Sequence, residues 1–274
     1  MQKNRTDMTQ KMGIIGWPLG HTMSPTLHNF LFERHGLDAK YEVWPTQPEE
    51  LEAFVSRVRE EKIQGVSVTI PHKQAVMKHL DGMSFRAKSV GAVNTLFWED
   101  GQLFGENTDV TGLIAPLRAL QKQPETALVL GAGGAARAAV AGLNELEIES
   151  VFIANRTRSK AETIAHDLAA RVVDWEKRQT TTPDLIINTT PLGMAGDMQD
   201  MTPWPGEFPS GCVVYDIVYN PLRTRLLREA EQSGCLIIEG LEMFLQQGLA
   251  QFRLWTGQEP DPDTARELLR SALG

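Results

Sequence analysis

The sequence predicts an α/β protein of two units, the second of them a doubly wound parallel sheet. Three observations carry this reading. At 274 residues the chain exceeds the usual size of a single core. Short apolar runs alternate with amphipathic segments along nearly its whole length. A glycine turn at Gly131 stands between a strand-like run and a helix-like one, the βαβ arrangement of a parallel sheet covered on both faces. Hydrophobic residues at 42% and charged residues at 23% suffice for a packed core and fit neither a fibrous nor a disordered chain.

In the first unit Met12 to Ile15 reads as a strand, Pro25 to Arg34 as a helix and Lys40 to Val43 as a strand. Glu49 to Glu60 reads as a helix because Leu51, Phe54, Val55 and Val58 recur on one face. Gly65 to Ile70 is a strand with Val66, Val68 and Ile70 on one side and Ser67 and Thr69 on the other. A helix from about His72 to Leu80 follows. Gly91 to Phe97 and Gln102 to Gly105 then form a strand pair around a turn at Asp100 and Gly101. The second unit starts near Val110 with a connecting helix. Its strands are Ala127 to Leu130, Val151 to Ala154, Leu185 to Asn188, Cys212 to Asp216 and Cys235 to Ile238. Its helices are Ala135 to Leu143, Ser159 to Ala169 and Arg223 to Gln232. Pro203 to Pro209 reads as a surface loop, and Leu241 to Thr256 and Pro262 to Leu273 as terminal helices.

A net charge of −8 and a pI near 5.3 argue against a general nucleic-acid binder, because neutralising phosphates needs a basic surface. No apolar run approaches the ~20 residues of a membrane span, and Met1 to Lys11 lacks the apolar core of a signal peptide. Cys212 and Cys235 sit in apolar runs, which predicts buried free thiols in a reducing compartment. The expected location is cytoplasmic, with no membrane partner.

The strand Ala127 to Leu130 runs into Gly131-Ala132-Gly133-Gly134-Ala135-Ala136, a G-x-G-x-x-A pattern opening a helix. Gly131 permits the tight turn, Gly133 lets backbone N–H groups approach a pyrophosphate, and Ala136 lets helix pack closely on strand. The helix N-terminus faces the phosphates with its positive end. This is a Rossmann dinucleotide site; a plain tight turn is the competing reading. The next strand ends in Asn155-Arg156-Thr157-Arg158-Ser159-Lys160, where an NAD site would usually present Asp or Glu to the ribose. No carboxylate stands there. Arg156, Arg158 and Lys160, with Asn155 and Thr157 able to hydrogen-bond, suit the 2′-phosphate of NADP; a solvated basic helix start competes.

Ser24 before Pro25 reads as an N-cap with proline at the first helical position. Thr22 and Ser24 beside that helix start also suit a carboxylate ligand. Ser67 and Thr69 share a strand face, and Lys73 begins the next helix beside it, although a solvated polar face would look the same. Asn94 and Asp109 supply polar groups at segment ends. In the final helix pair Gln247 lies on an apolar stripe with Met243, Ala250 and Leu254, and a lone amide there needs a partner if buried, a ligand hydroxyl being one candidate. His21, His28, His35, His72, His79 and His166 show no metal-ligand spacing, so no metal is expected. The absence of a G-x-S-x-G elbow removes that hydrolase class.

Nine runs resemble the shikimate dehydrogenase family, in that family's order and over nearly the whole chain. They are GWPLGHTMSPTLHN (residues 16–29), VSVTIPHK (66–73), GAVNTL (91–96), GENTDVTG (105–112), GAGGAARA (131–138), NRT (155–157), NTTPLGM (188–194), VYDIVYNPLRTRLL (214–227) and GLEMFLQQGLAQFRLWTG (240–257). The resemblance implies reversible, NADPH-dependent reduction of 3-dehydroshikimate to shikimate, a step of aromatic amino-acid biosynthesis. It implies a substrate domain of residues 1–109 completed by C-terminal helices 240–274, with a Rossmann NADP domain of residues 110–239 between them. Lys73 and Asp109 would be the catalytic pair. Thr22 and Ser24 would hold the substrate carboxylate, and Thr69, Asn94, Asp109 and Gln247 the ring hydroxyls, with Tyr219 nearby. Gly131, Ala132, Gly133, Gly134, Ala135, Asn155, Arg156, Thr157, Arg158 and Lys160 would hold the cofactor, with Ile217 and Gly240 lining its nicotinamide end. The implied partner is a small-molecule substrate, with assembly open between monomer and homodimer. Thr22 replaces the family's usual serine, Ser67 its asparagine and Glu106 its aspartate, and the extra methyl of Thr22 bears on the choice between shikimate and quinate. Two other readings stay open: a quinate/shikimate dehydrogenase with broader substrate or NAD use, and a non-catalytic dinucleotide sensor.

Overall fold

The computed structural model describes residues 9–20 and 22–274; the first eight residues and His21, both touched by the sequence reading, lie outside the described residues. The first sheet is built from β1 (Gln10–Gly16), β2 (Ala39–Pro45), β3 (Gly65–Val68), β4 (Gly82–Met83), β5 (Thr95–Glu99) and β6 (Gln102–Glu106), in the order β2-β1-β3-β5-β6-β4. β1 runs parallel to β2 and β3, whereas β5 pairs antiparallel with β3 and β6. The β5–β6 turn falls at Asp100 and Gly101, both at positive φ. Helix α1 (Ser24–Arg34) crosses from β1 to β2, and α2 (Leu51–Glu60) from β2 to β3. Leu51, Phe54, Val55 and Val58 of α2 are all buried, each contributing about 1.5–3 kcal/mol by leaving water.

The second sheet is wholly parallel and comprises β7 (Thr126–Leu130), β8 (Ser150–Ala154), β9 (Arg171–Val173), β10 (Leu185–Asn188), β11 (Val213–Asp216) and β12 (Leu236–Ile238), in the order β12-β11-β10-β7-β8-β9. Its helices include α6 (Gly134–Glu145), α7 (Arg158–Leu168) and α8 (Arg225–Gln232). The strand order reverses between β7 and β10, so the glycine turn sits at the carboxyl-end crevice where doubly wound sheets take ligands. Helices α5 (Thr108–Arg118) and α9 (Gly240–Thr256) pack side by side between the sheets. Gly112 permits their approach, since a Cβ there would lie 2.5 Å from the Met243 carbonyl oxygen. Leu241, Leu245, Leu249 and Phe252 of α9, with Ala265 and Leu269 of α10 (Pro262–Leu273), share a core with Met12, Leu27 and Leu31. The C-terminal helices therefore return to the first sheet.

Several local expectations are corrected. β3 stops at Val68, and Ile70 is exposed rather than packed with Val66 and Val68, because Pro71 cannot donate to the ladder. The helix expected to Leu80 is α3 (His72–Ala75) followed by a 3₁₀ turn, Val76–His79. An unforeseen helix, α4 (Phe85–Val90), is capped by Ser84 Oγ, which accepts the Ala87 N–H at 3.0 Å, and closes at Gly91 with φ 67°. The strand expected from Gly91 therefore starts at Thr95. The edge strand β9 is a further element that the sequence pattern does not announce. Ser24 is not the N-cap of α1: it is the first helical residue, and its own N–H donates to Thr22 Oγ1 at 3.2 Å. Pro203 to Pro209 is irregular, but Trp204 within it is buried and donates Nε1–H to the Glu207 carbonyl at 3.1 Å.

Candidate active site

A cleft of about 300 Å³ gathers the segments that follow β1, β3 and β11 together with the first turns of α3, α5 and α6. Both residues of the expected catalytic pair and all of the expected substrate contacts line it: Thr22, Ser24, Thr69, Lys73, Asn94, Asp109, Tyr219 and Gln247. Residues spread over much of the chain converge because most of them stand near the end of a strand or the start of a helix, while Gln247 reaches the cleft from the middle of α9.

Lys73 Nζ donates to Asp109 Oδ2 at 2.5 Å, with side-chain exposures of 16% and 9%. The second carboxylate oxygen, Oδ1, accepts Asn94 Nδ2–H at 2.8 Å. Asn94 is itself held: its Oδ1 accepts the Thr108 backbone N–H at 2.7 Å and the Thr95 hydroxyl at 2.8 Å. The pair is thus a shielded ammonium–carboxylate couple with one orientation, and the low local dielectric strengthens what it presents to a ligand. Because Ser24 is not spent as a cap, its buried hydroxyl joins that of Thr22, which donates to it at 3.2 Å, beside the N-terminus of α1. The Tyr219 ring centroid lies 4.7 Å from that of Phe244, and burial raises its phenol pKa. Gln247 Nε2 donates to the Phe244 carbonyl at 2.9 Å.

Gln251, four residues beyond Gln247 and 1% exposed, was missed by the sequence reading. The i, i+4 spacing on the same helix face was the available signal. Its Oε1 accepts the Ser67 hydroxyl at 2.9 Å, and its Nε2 donates to Thr95 Oγ1 at 2.9 Å and to the Asn94 carbonyl at 3.3 Å. Ser67 in turn accepts the Tyr41 hydroxyl at 2.6 Å, and the His28 ring stacks on Tyr41 at 4.5 Å. Burial lowers the His28 pKa to about 3, against the raising effect of its Gln251 hydrogen bond, so it is neutral at pH 7. Replacing Gln251 by leucine strands several buried polar groups. The expected destabilisation is about 2–4 kcal/mol, measured by denaturant unfolding; a change below about 0.5 kcal/mol would show that the network is not structural.

The glycine turn has the geometry of a phosphate cradle. Gly131 adopts φ 116° beneath Thr189, whose Oγ1 a Cβ would approach to 2.4 Å, while a Cβ at Gly133 would meet nothing within 4 Å. Ala132, Gly133, Gly134 and Lys160 line a second groove that also reaches Ile70 and Lys73, and Gly134, Ala135 and Ile217 line the first cleft. Gly240 lies behind Ile217, where a Cβ would come within 2.5 Å of the Ile217 and Val218 backbone. At the end of β8, Asn155 Nδ2 donates to the Thr157 carbonyl at 2.9 Å. Arg156, Thr157 and Lys160 are exposed. Arg158 departs from the expectation of a free cation: its Nε donates to Glu162 at 2.7 Å and its Nη1 to Asp174, so two carboxylates already occupy it. Among the described residues, the ion pairs of this segment belong to Arg158, leaving Arg156 and Lys160 available. The residues present fit NADP: an open glycine cradle, a helix N-terminus and two uncommitted cations.

Asp216 anchors the Ile217–Tyr219 segment that lines the cleft. Its Oδ1 accepts from Asn188 Nδ2 at 2.9 Å and Val218 N at 3.0 Å, and its Oδ2 from Thr224 Oγ1 at 2.7 Å. Burial pushes its pKa from 3.8 up to about 7, with these three hydrogen bonds opposing the rise. The folded state thus favours the neutral acid. That stabilising contribution is full below about pH 4 and is lost as pH rises through about 7. Relative to Asp216→Asn, which cannot ionise, the wild-type protein should lose about 3 kcal/mol of unfolding free energy between about pH 5 and pH 8. Denaturant titrations of both proteins at the two pH values check this; a pH-independent difference contradicts it.

Among the described residues no group of three or more His, Cys, Asp or Glu is placed to hold a metal ion. No helix among them is long and apolar enough to cross a membrane. Cys212 and Cys235 are free and buried.

Three family models match the chain: shikimate dehydrogenase substrate binding domain over residues 14–96, shikimate / quinate 5-dehydrogenase over 117–190, and shikimate 5'-dehydrogenase C-terminal domain over 240–270. The shikimate dehydrogenase (NADP(+)) of Maridesulfovibrio salexigens is 50% identical over 262 residues, covering 95% of this chain and 96% of that one. The crystal structure of shikimate 5-dehydrogenase from Thermus thermophilus, in complex with NADP(H) and shikimate, superposes with a TM-score of 0.87 at 40% identity, covering 96% of this chain and 100% of that one. Quinate dehydrogenase from Corynebacterium glutamicum in complex with NAD is equally similar in fold, with a TM-score of 0.88, but only 27% identical, covering 96% and 99% of the two chains. A two-sheet α/β fold, a lysine–aspartate couple in a shared cleft and relatives matched over at least 95% of the chain agree: the chain belongs to the shikimate dehydrogenase family.

Proposed function

We propose that the protein is an NADP-dependent shikimate dehydrogenase, reversibly reducing 3-dehydroshikimate to shikimate in aromatic amino-acid biosynthesis. The observation that carries the assignment is the 2.5 Å contact between Lys73 Nζ and Asp109 Oδ2, in a cleft reached by the first turn of the glycine-cradled helix. Residues 1–109 and 240–274 act as the substrate body and residues 110–239 as the cofactor body. The backbone N–H groups from Ala132 to Ala135 hold the pyrophosphate over the tight turn at Gly131, whose own N–H is taken by the Ala154 carbonyl at 2.8 Å; Asn155, Arg156, Thr157 and Lys160 hold the 2′-phosphate end, and Ile217 lines the nicotinamide end with Gly240 behind it.

When bound, the nicotinamide supplies the hydride in reduction and accepts it in oxidation. As alkoxide character develops on the substrate oxygen, the Lys73 ammonium stabilises it by a charge-assisted hydrogen bond and delivers the proton. In the oxidative direction the proton moves the other way, from the substrate hydroxyl to Lys73 Nζ. Asp109 orients Lys73 through Oδ2, while Asn94 fixes the carboxylate through Oδ1. The Thr22 and Ser24 hydroxyls, with the positive end of α1, receive the substrate carboxylate. The free Oε1 of Gln247 accepts from a ring hydroxyl, as its Nε2 is held by Phe244. Thr69 and Tyr219 complete the cleft walls. A cytoplasmic setting accords with the two buried free thiols, and the acidic net charge of −8 speaks against a nucleic-acid partner.

The assignment is tested by initial rates with shikimate and quinate, each with NADP and NAD. The highest kcat/KM belongs to shikimate with NADP. A higher value for quinate with NAD would make the protein a quinate dehydrogenase, and no turnover in any combination would leave the dinucleotide-sensor reading.

A further inference from the structure

Arg137 lies in the first turn of α6, just past the glycine cradle, and lines the cofactor groove with Gly133, Gly134 and Lys160, yet its side chain also reaches across to α4 of the first unit. It is 9% exposed. Its Nε donates to the Val90 carbonyl at 2.7 Å, at the end of α4 where helical carbonyls lack intrahelical partners. Its Nη1 donates to Asp167 Oδ2 on α7 at 2.9 Å. Gly91 rests against the guanidinium, where a Cβ would come within 2.9 Å of Nη2.

The gripped segment leads directly to the reacting groups. Three residues after Gly91 comes Asn94, whose Nδ2 donates to Asp109 Oδ1 at 2.8 Å. Between them Val93 N donates to the Lys73 carbonyl at 2.7 Å, and Asn94 N donates to the Glu106 carbonyl at 3.0 Å. The short stretch from Val90 to Asn94 thus touches both members of the catalytic pair, and a single side chain from the cofactor-binding helix holds its start. The planar guanidinium serves a carbonyl and a carboxylate at once, which a lysine ammonium at the same site cannot do with the same geometry.

We propose that Arg137 is a positioning residue: by pinning the segment from Val90 to Asn94 to the start of α6, it sets Asn94, and through it Asp109 and Lys73, in register with the cofactor cradle. The inference rests on the shikimate dehydrogenase reading. It adds a residue that acts on the substrate end although it sits on the cofactor helix.

The test compares wild type, Arg137→Met and Arg137→Lys in two binding measurements and one kinetic one. Shikimate binding to the cofactor-free protein and NADP⁺ binding to the substrate-free protein are measured by calorimetry, and kcat at saturation of both. Arg137→Met is expected to weaken shikimate about tenfold, to change NADP⁺ affinity by less than about threefold, and to lower kcat by about 10- to 100-fold, the scale of a small misplacement of reacting groups. Arg137→Lys, which keeps the cation should the methionine variant fail to fold, shows the same split at reduced size. Unchanged shikimate affinity and kcat in the lysine variant would overturn the proposal. So would a loss confined to NADP⁺ affinity, which would make Arg137 a phosphate ligand. Absence of shikimate turnover in the wild-type protein would instead sink the functional assignment on its own.

Discussion

Lys73→Ala is expected to lower kcat with shikimate and NADP by about 10²–10⁴-fold, the range removed when a positioned proton-transfer group is lost. The reason is geometric. Lys73 Nζ is the donor that Asp109 Oδ2 holds at 2.5 Å in the cleft, and among the described residues no other lysine or arginine lines that cleft. NADP⁺ affinity should change little, since the phosphate cradle is built from backbone. Asp109 keeps its hydrogen bond from Asn94 in the variant, so its carboxylate stays oriented but has no ammonium to orient. Steady-state kinetics in both directions, with NADP⁺ binding as a control, check the expectation. Turnover at the wild-type rate would remove Lys73 from the mechanism.

The second large effect concerns the cofactor. Arg156→Ala combined with Lys160→Ala is expected to raise KM for NADPH by about 100-fold or more, through loss of two charge-assisted contacts to the 2′-phosphate. NADH, which lacks that phosphate, should be used as before. Arg158→Ala, by contrast, should leave KM for NADPH within about twofold, because Glu162 and Asp174 already hold the Arg158 guanidinium. KM values for the two cofactors in all three proteins decide the matter. Equal losses for NADPH and NADH would mean that the segment acts on fold or on the adenosine, not on the 2′-phosphate.

The contrast between Arg156 and Arg158 shows where sequence reasoning stops. Both stand in one basic run, and the run alone treats them alike. The partner of Arg158 that separates them, Asp174, lies 16 residues away beyond α7, on the far side of an edge strand that the pattern does not reveal. β9 has only three residues and α4 only six, too few periods for an apolar repeat to stand out. Ser24 fails as a cap for a related reason. The Ser-Pro pattern is shared by caps and first-turn residues, and the Thr22 hydroxyl takes the Ser24 N–H. Ile70 falls outside its expected place because strand alternation does not carry across a residue preceding proline, where the ladder ends.

What the sequence determined by itself was local or periodic. The alternation of apolar runs specifies the order of strands and helices; the glycine turn between strand and helix specifies a dinucleotide cradle; the missing carboxylate at Asn155 to Lys160 specifies NADP over NAD. Each depends on residues within a turn or two of one another, so spacing along the chain is spacing in space. Only the tertiary structure decided that Lys73 and Asp109, 36 residues apart, meet at 2.5 Å. It also decided that Gln251 ties α9 to Thr95 across 156 residues, and that Arg137 crosses 47 residues to grip Val90. Contacts of that range are set by sheet order and by the packing of α5, α6 and α9, and neither leaves a mark at any fixed interval in the chain.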